Sequence, residues 1–78
     1  MANMRLKGLI LQVVDNQLKA NDPPVTKATY ERLQSLGYSK QQAKEQIAVI
    51  LIEEMYDVLK YNEHYDEERY TKKLEELK

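Results

Sequence analysis

Three acidic residues close together in the sequence, Glu53, Glu54 and Asp57, are the candidates for a catalytic pair of carboxylates. Two carboxylates can divide acid and base roles when burial raises the pKa of one of them. Consecutive residues of a helix point in different directions, so Glu53 and Glu54 are poorly placed to act on one substrate. We therefore expect these three residues to form a solvated acidic face, and we predict no catalytic residue among them.

The only histidine, His64, lies in a predicted connection beside Tyr65 and Asp66, and we expect it to be an ordinary exposed residue. Glu63 and Glu67 are the nearest potential metal ligands, and the chain contains no cysteine. A zinc site takes three or four protein ligands, which is more than this stretch offers. A glycine-rich phosphate loop is also missing. We therefore predict that the protein is not an enzyme and has no metal site, no cofactor-binding residues and no cofactor.

Length and composition predict one folded helical domain over residues 1–78. The chain is 42% hydrophobic and has only two glycines and two prolines, which leaves little material for tight turns between strands. Its net charge is −1, but the half from residue 46 onward is acidic, which argues against a nucleic-acid footprint over the whole surface. The longest apolar run, Ile47 to Ile52, is far shorter than the roughly 20 residues of a membrane span. With no signal-peptide pattern at the start, we predict a cytoplasmic protein without a membrane partner.

Apolar spacing predicts a first helix over residues 4–20 and a second that ends at about Leu36. Asp22 is expected to cap the second helix, with Pro23 in its first turn. Gly37 is placed to end that helix in a left-handed conformation. The residues expected on the apolar face of the first helix are Leu6, Leu9, Ile10, Val13, Val14, Gln17 and Leu18. Those expected on the second are Val25, Ala28, Thr29, Leu33 and Leu36.

Ser39 and Gln42 form a capping box, which predicts a third helix over residues 40–61. This helix has apolar residues on two sides, so we expect it to lie at the centre of the fold or to meet a partner chain. Its main face consists of Ala43, Ile47, Ile50, Leu51, Met55, Val58 and Leu59. A second stripe consists of Val49, Ile52 and Tyr56.

Asp66 is expected to cap a fourth helix, with Tyr65 and Tyr70 in contact across its first turn. This helix offers only a narrow apolar stripe to cover the second stripe of the third helix. The stripe consists of Tyr70, Leu74 and Leu77. Two covers are therefore open from the sequence, either this fourth helix or a second chain, most simply in a symmetric homodimer.

The segment from Leu33 to Ile47 is the main alternative functional site, because it has the order helix, glycine-containing turn, helix that some DNA-binding proteins use. The polar residues that would reach the nucleic acid are Lys40, Gln41, Gln42 and Lys44. Three features oppose this function: the bulk of Leu33 where two helices cross, the length of the following helix, and the acidic groups further along it. DNA binding is therefore the second hypothesis, and a plain corner between helices is the first.

Part of the same corner, Leu36-Gly37-Tyr38-Ser39 followed by Ala43, resembles the loop of ubiquitin-associated-type three-helix modules. Those modules bind partners through this loop, so the resemblance implies an interaction site there. Their helices are short, whereas the third helix predicted here is long. The likeness therefore stays local to this loop.

A wider resemblance runs through several segments of the chain. They are Val13 to Leu18, Asn21-Asp22-Pro23-Pro24, Tyr30 to Leu33, Leu36 to Ser39, Ala48 to Tyr56 and Tyr65 to Tyr70. Together they resemble small bacterial helical proteins grouped as domain of unknown function 1841 and its relatives. The resemblance implies a small helical domain of the bacterial cytoplasm, with no assigned reaction and no site residues to carry over.

These observations predict an all-α fold, a small four-helix, orthogonally packed single domain with the third helix central. The predicted function is a non-catalytic protein-interaction or structural module whose partner is another protein or a second copy in a homodimer. The alternative is a nucleic-acid-binding protein that uses the corner from Leu33 to Ile47.

Overall fold

The computed structural model describes residues 4–61 and 64–78, with side chains described from residue 6 onward. Four helices follow one another: α1 (Met4–Ala20), α2 (Pro24–Ser35), α3 (Lys40–Tyr61) and α4 (Glu67–Glu75). Helix α3 contacts each of the other three, and no strand occurs in the described ranges. The predicted all-α, four-helix domain with the third helix at its centre is therefore confirmed.

Helix α3 begins where the sequence predicted, because its first turn is capped by side chains. The backbone N–H of Gln42 donates to Ser39 Oγ at 3.0 Å, and the N–H of Ser39 donates to Gln42 Oε1 at 2.9 Å. Each side chain thus satisfies a backbone donor that the helix itself leaves unpaired. The capping box is confirmed.

Helix α2 ends as predicted but begins differently. Gly37 has φ +107°, and the N–H of Tyr38 donates to the carbonyl of Leu33, which closes a glycine-dependent helix terminus. At the other end, Pro23 and not Asp22 occupies the capping position, with no side-chain hydrogen bond to the helix. The prediction of an Asp22 cap is wrong, because the helix starts one residue later, at Pro24, whose missing N–H needs no partner.

The core is formed by one side of each helix, and these sides pack around the first two-thirds of α3. Its buried apolar members are Ile10, Val14, Leu33, Ala43, Ile47, Ala48, Ile50, Leu51, Tyr70 and Leu74. Two threonines of α2, Thr26 and Thr29, are buried with them. Several residues predicted to face the core are instead exposed, namely Leu6, Leu9, Val13, Ala28, Leu36, Met55 and Leu59.

Helix α4 is fastened at both ends. Asp66 Oδ1 accepts the N–H of Arg69 at 3.1 Å, which confirms the predicted cap, and the rings of Tyr65 and Tyr70 lie 6.0 Å apart. At the other end, the guanidinium of Arg32 donates to the carbonyls of Leu74, in the last turn of α4, and of Leu77, just beyond it. Helix α4 is therefore an integral part of the fold.

Among the described residues, none of the four helices combines the length and the apolar character that a membrane crossing requires.

Candidate docking surface

The feature that most needs a functional explanation is an exposed apolar stripe along α3. Its residues, which we call the α3 stripe, are Val49, Ile52, Met55, Tyr56 and Leu59. Their exposed fractions are 51% at Val49, 39% at Ile52, 43% at Met55, 63% at Tyr56 and 82% at Leu59. Large apolar side chains at these exposures in one continuous row are unusual, because single exposed apolar residues are the normal pattern.

The stripe is exposed because none of the other three helices in the described ranges covers it. Helix α4 places Tyr70 and Leu74 fully inside the core, on the other side of α3, so it cannot cover the stripe. The sequence left two possible covers for the second stripe, the fourth helix and a second chain. The prediction that the fourth helix covers it is therefore wrong. Met55 and Leu59, predicted in the main core face, belong to the exposed stripe instead.

Two shallow apolar grooves run along the stripe beside α1. The first lies next to Lys7 and Glu45 and is lined by Leu6, Lys7, Leu11, Glu45, Ala48, Val49 and Ile52. The second continues toward the end of α3 and is lined by Leu6, Ile10, Ile52, Met55, Tyr56 and Leu59. Both include Leu6 and Ile52, so the grooves form one continuous surface between α1 and α3.

The charges at the rim of this surface are paired within the chain. Lys7 Nζ lies 3.1 Å from Glu45 Oε2, and Lys44 Nζ lies 2.8 Å from Asp15 Oδ1. The hydrogen bond to Asp15 raises the pKa of Lys44, so Lys44 stays protonated. The groove therefore has an apolar floor and a rim with no excess charge of either sign at this end.

The opposite side of α3 holds the acidic group that the sequence placed in solvent. Glu54 is completely buried, and its carboxylate accepts Arg69 Nε at 2.8 Å and Arg69 Nη2 at 2.6 Å. The N–H of Asp66 approaches Glu54 Oε2 at 3.4 Å, and Lys73 Nζ lies 3.9 Å from Oε1. The hydrogen bonds from Arg69 hold the pKa of Glu54 below its usual range. The expectation of a solvated Glu54 is wrong, because α4 covers it and supplies its counter-charge.

The other two members of the predicted acidic face behave differently. Glu53 is exposed, as expected, and Asp57 accepts a hydrogen bond from Lys73 Nζ at 3.2 Å. The cluster is therefore divided between solvent and the α3–α4 contact. It does not bring two carboxylates to one substrate, and its ionised groups serve to hold α4 in place.

A second buried polar group lies between α1, α2 and α4. Gln17 Oε1 accepts the hydroxyl of Thr26 at 2.7 Å and the hydroxyl of Tyr70 at 3.2 Å. Burial raises the pKa of Tyr70, which keeps its hydroxyl protonated as a donor. Each buried polar side-chain atom in the described ranges has a hydrogen-bond partner. These groups are explained by packing and leave no polar pocket with unmet bonds.

In the corner from Leu33 to Ile47, two of the four polar side chains predicted to contact nucleic acid bind other groups of the same chain. Gln42 is held in the capping box, and Lys44 is paired with Asp15. Arg32, the nearest arginine, caps the end of α4. Lys40 and Gln41 are the members of the predicted set that stay exposed without such a role. DNA binding at this corner stays a hypothesis with less available charge than the sequence suggested.

His64 is exposed, and Glu63, one of the two acidic residues considered with it, lies outside the described residues. Over the ranges 4–61 and 64–78, no three His, Cys, Asp or Glu side chains are grouped so as to hold a metal ion. The predicted absence of a metal or cofactor stays a prediction.

No protein-family model, curated protein or solved structure matches this chain. The predicted resemblance to domain of unknown function 1841 therefore stays a prediction.

Proposed function

We propose that this protein is a non-catalytic interaction module that binds another protein chain through the α3 stripe and the adjoining groove beside α1. The supporting observation is the row of five large apolar side chains, each between about two-fifths and four-fifths exposed. Together they expose on the order of 500 Å² of apolar surface, which is at the upper end for the largest patch on a monomeric protein. The largest apolar patch on a soluble protein is often functional, and larger patches mark partner surfaces.

The rest of the described molecule supports a binding role more than a catalytic one. The buried ionisable group Glu54 is neutralised by Arg69, and the buried hydroxyls of Thr26 and Tyr70 are bonded to Gln17. A catalytic base must reach a proton of the substrate, whereas these groups are buried and already bonded to residues of neighbouring helices. We place this function in the bacterial cytoplasm, because the cysteine-free composition suits a reducing compartment and the wider resemblance implies it.

Site-specific photo-cross-linking in the cells that make the protein tests this function. A benzophenone amino acid replaces Leu59 in one variant and Leu36 in the control. Both positions are apolar leucines, exposed by 82% and 57%, but Leu36 lies at the end of α2, away from the stripe. We expect a discrete protein adduct at position 59 that unlabelled protein competes away, and none at position 36. No adduct at position 59, or equal adducts at both positions, would refute the proposed interaction surface.

A further inference from the structure

We infer that the occupant of the α3 stripe is a second copy of this chain, bound in a two-fold symmetric dimer in which the two α3 helices pack antiparallel. This inference depends on the proposed function, because it names the partner of the same surface. Three properties of the stripe support it: the spacing of its residues, the order of their sizes and the area that they expose.

The spacing matches a helix–helix seam. Val49, Ile52, Tyr56 and Leu59 follow one another at intervals of three, four and three residues. This is the spacing of the a and d positions at which two long helices interlock side chains. Met55 lies beside this row and widens it toward the groove. The matching surface that such a seam requires is another helix with the same repeat, and α3 of a second copy has it.

The order of the residues makes the stripe complementary to itself when it is reversed. Val49 precedes Ile52 by three residues, and Leu59 follows Tyr56 by three. A two-fold axis midway between Ile52 and Tyr56 therefore places Ile52 against Tyr56 of the other copy and Val49 against Leu59. Each layer then pairs a smaller β-branched side chain with a larger one, and the two tyrosines do not meet. Every contact is made twice, as a symmetric dimer requires.

The helix dipoles favour the antiparallel direction. Helix α3 has a partly positive start and a partly negative end, and antiparallel packing places the start of one helix beside the end of the other. The charge of Glu45 does not add to this preference, because its carboxylate is paired with Lys7 of its own chain.

The size of the surface suits a small dimer. Specific interfaces bury about 800 Å² on each partner, and weak or transient ones bury less than about 600 Å² on each. The apolar stripe exposes on the order of 500 Å², and rim residues such as Glu53 and Lys60 add to it, so the surface has the size of a weak interface. We therefore expect a weak dimer whose population rises with protein concentration.

Sedimentation equilibrium on the full chain, with two matched variants, tests the self-association. The wild-type protein is expected to approach twice the chain mass of 9.2 kDa as its concentration rises. Leu59→Asp should raise the dissociation constant of the dimer at least tenfold and leave the helical circular dichroism signal unchanged, since Leu59 is 82% exposed. Leu36→Asp introduces the same charge at another exposed leucine and should leave the mass unchanged. A wild-type protein that stays monomeric up to about 1 mM would refute the dimer.

Cysteine cross-linking tests the antiparallel direction, and the chain is suited to it because it has no cysteine of its own. A mixture of Val49→Cys and Leu59→Cys proteins should form a mixed disulfide on mild oxidation. Leu59→Cys alone should not, because two copies of residue 59 lie about 15 Å apart along antiparallel helices at 1.5 Å per residue. A disulfide needs its α-carbons within about 7 Å. Rapid cross-linking of Leu59→Cys alone would instead indicate parallel packing and refute the proposed geometry.

The two proposals fail in different ways. If purified protein stays monomeric but the photo-cross-linker at position 59 captures one other protein in cells, the interaction surface stands and the second copy is refuted. If neither method finds a partner at position 59, both proposals are refuted.

Discussion

The two sides of α3 show opposite relations between residue type and environment. On the side toward α4, Glu54 is a charged residue without solvent exposure, and two cations and a backbone N–H surround it. On the side of the stripe, Ile52 and Leu59 are apolar residues that solvent reaches. The difference shows that burial here is decided by which helix packs on which side, and that a covering helix can bring the counter-charge for a polar residue. The side of α3 without a covering helix is therefore the candidate for binding a partner.

The largest expected effect comes from removing the buried charge. Glu54→Ala leaves Arg69 and Lys73 without their shared carboxylate and should lower the free energy of unfolding by about 3 kcal/mol, near the lower end for a broken buried pair because both cations keep partial access to water. Glu53→Ala, at the exposed neighbouring residue, should change it by less than about 0.5 kcal/mol. Urea denaturation measures both. Equal losses in the two variants would remove the distinction between the two sides.

Acidification should weaken the α4 side specifically. The pKa of Glu54 is lower in the folded protein than its ordinary value, so its ionised form favours folding. This contribution is complete above the ordinary carboxylate pKa and is lost as the pH falls through the lowered pKa of the folded state. Thermal melts across the acidic range should therefore show a steeper fall in stability for wild type than for Glu54→Gln. Parallel pH profiles would contradict the assigned role of Glu54.

Two isoleucines separate the effect of the core from that of the stripe. Ile50 is 8% exposed and Ile52 is 39% exposed. Ile50→Ala should lower the free energy of unfolding by about 2 kcal/mol at any protein concentration, because it opens a cavity inside one chain. Ile52→Ala should cost less at low concentration and more at high concentration, since it acts on the associated form. Denaturation at several protein concentrations distinguishes them. A concentration-independent loss for Ile52→Ala would mean that the stripe belongs to the monomer alone.

The smallest expected effect belongs to the start of α3, which serves both sides equally. Ser39→Ala removes the acceptor for the N–H of Gln42 and should lower the free energy of unfolding by about 1 kcal/mol. Because the helix end supports the core and the stripe together, this loss should not depend on protein concentration. Ser35→Ala is the control, since Ser35 is exposed and its hydroxyl bonds only to the carbonyl of Arg32 within its own helix. An unchanged melt for Ser39→Ala would contradict the capping role.

The sequence by itself determined the helices and most of their ends. The bounds of α1 and α3, the glycine end of α2, the capping box of Ser39 and Gln42 and the cap at Asp66 are local features, because each depends on residues within five positions of one another. The spacing of apolar residues also marked α3 as apolar on two sides, and the second of these sides contains Val49, Ile52 and Tyr56 of the stripe. The one end predicted wrongly, at Asp22, lies before two prolines that can shift a helix start by a residue.

Only the tertiary structure decided which side of each helix is covered. Glu54 and Arg69 form a hydrogen bond although they are 15 positions apart in the sequence, and Gln17 and Tyr70 do so although they are 53 positions apart. No local sequence pattern predicts either pair. Hydrophobic spacing assigns a side chain to a face, but it does not say whether another helix reaches that face. Helix α4 packs on the side of α3 where Arg69 and Lys73 meet Glu54, and that choice leaves the α3 stripe in solvent. The proposed docking surface is therefore a consequence of where α4 packs, and its apolar residues are what the sequence supplied.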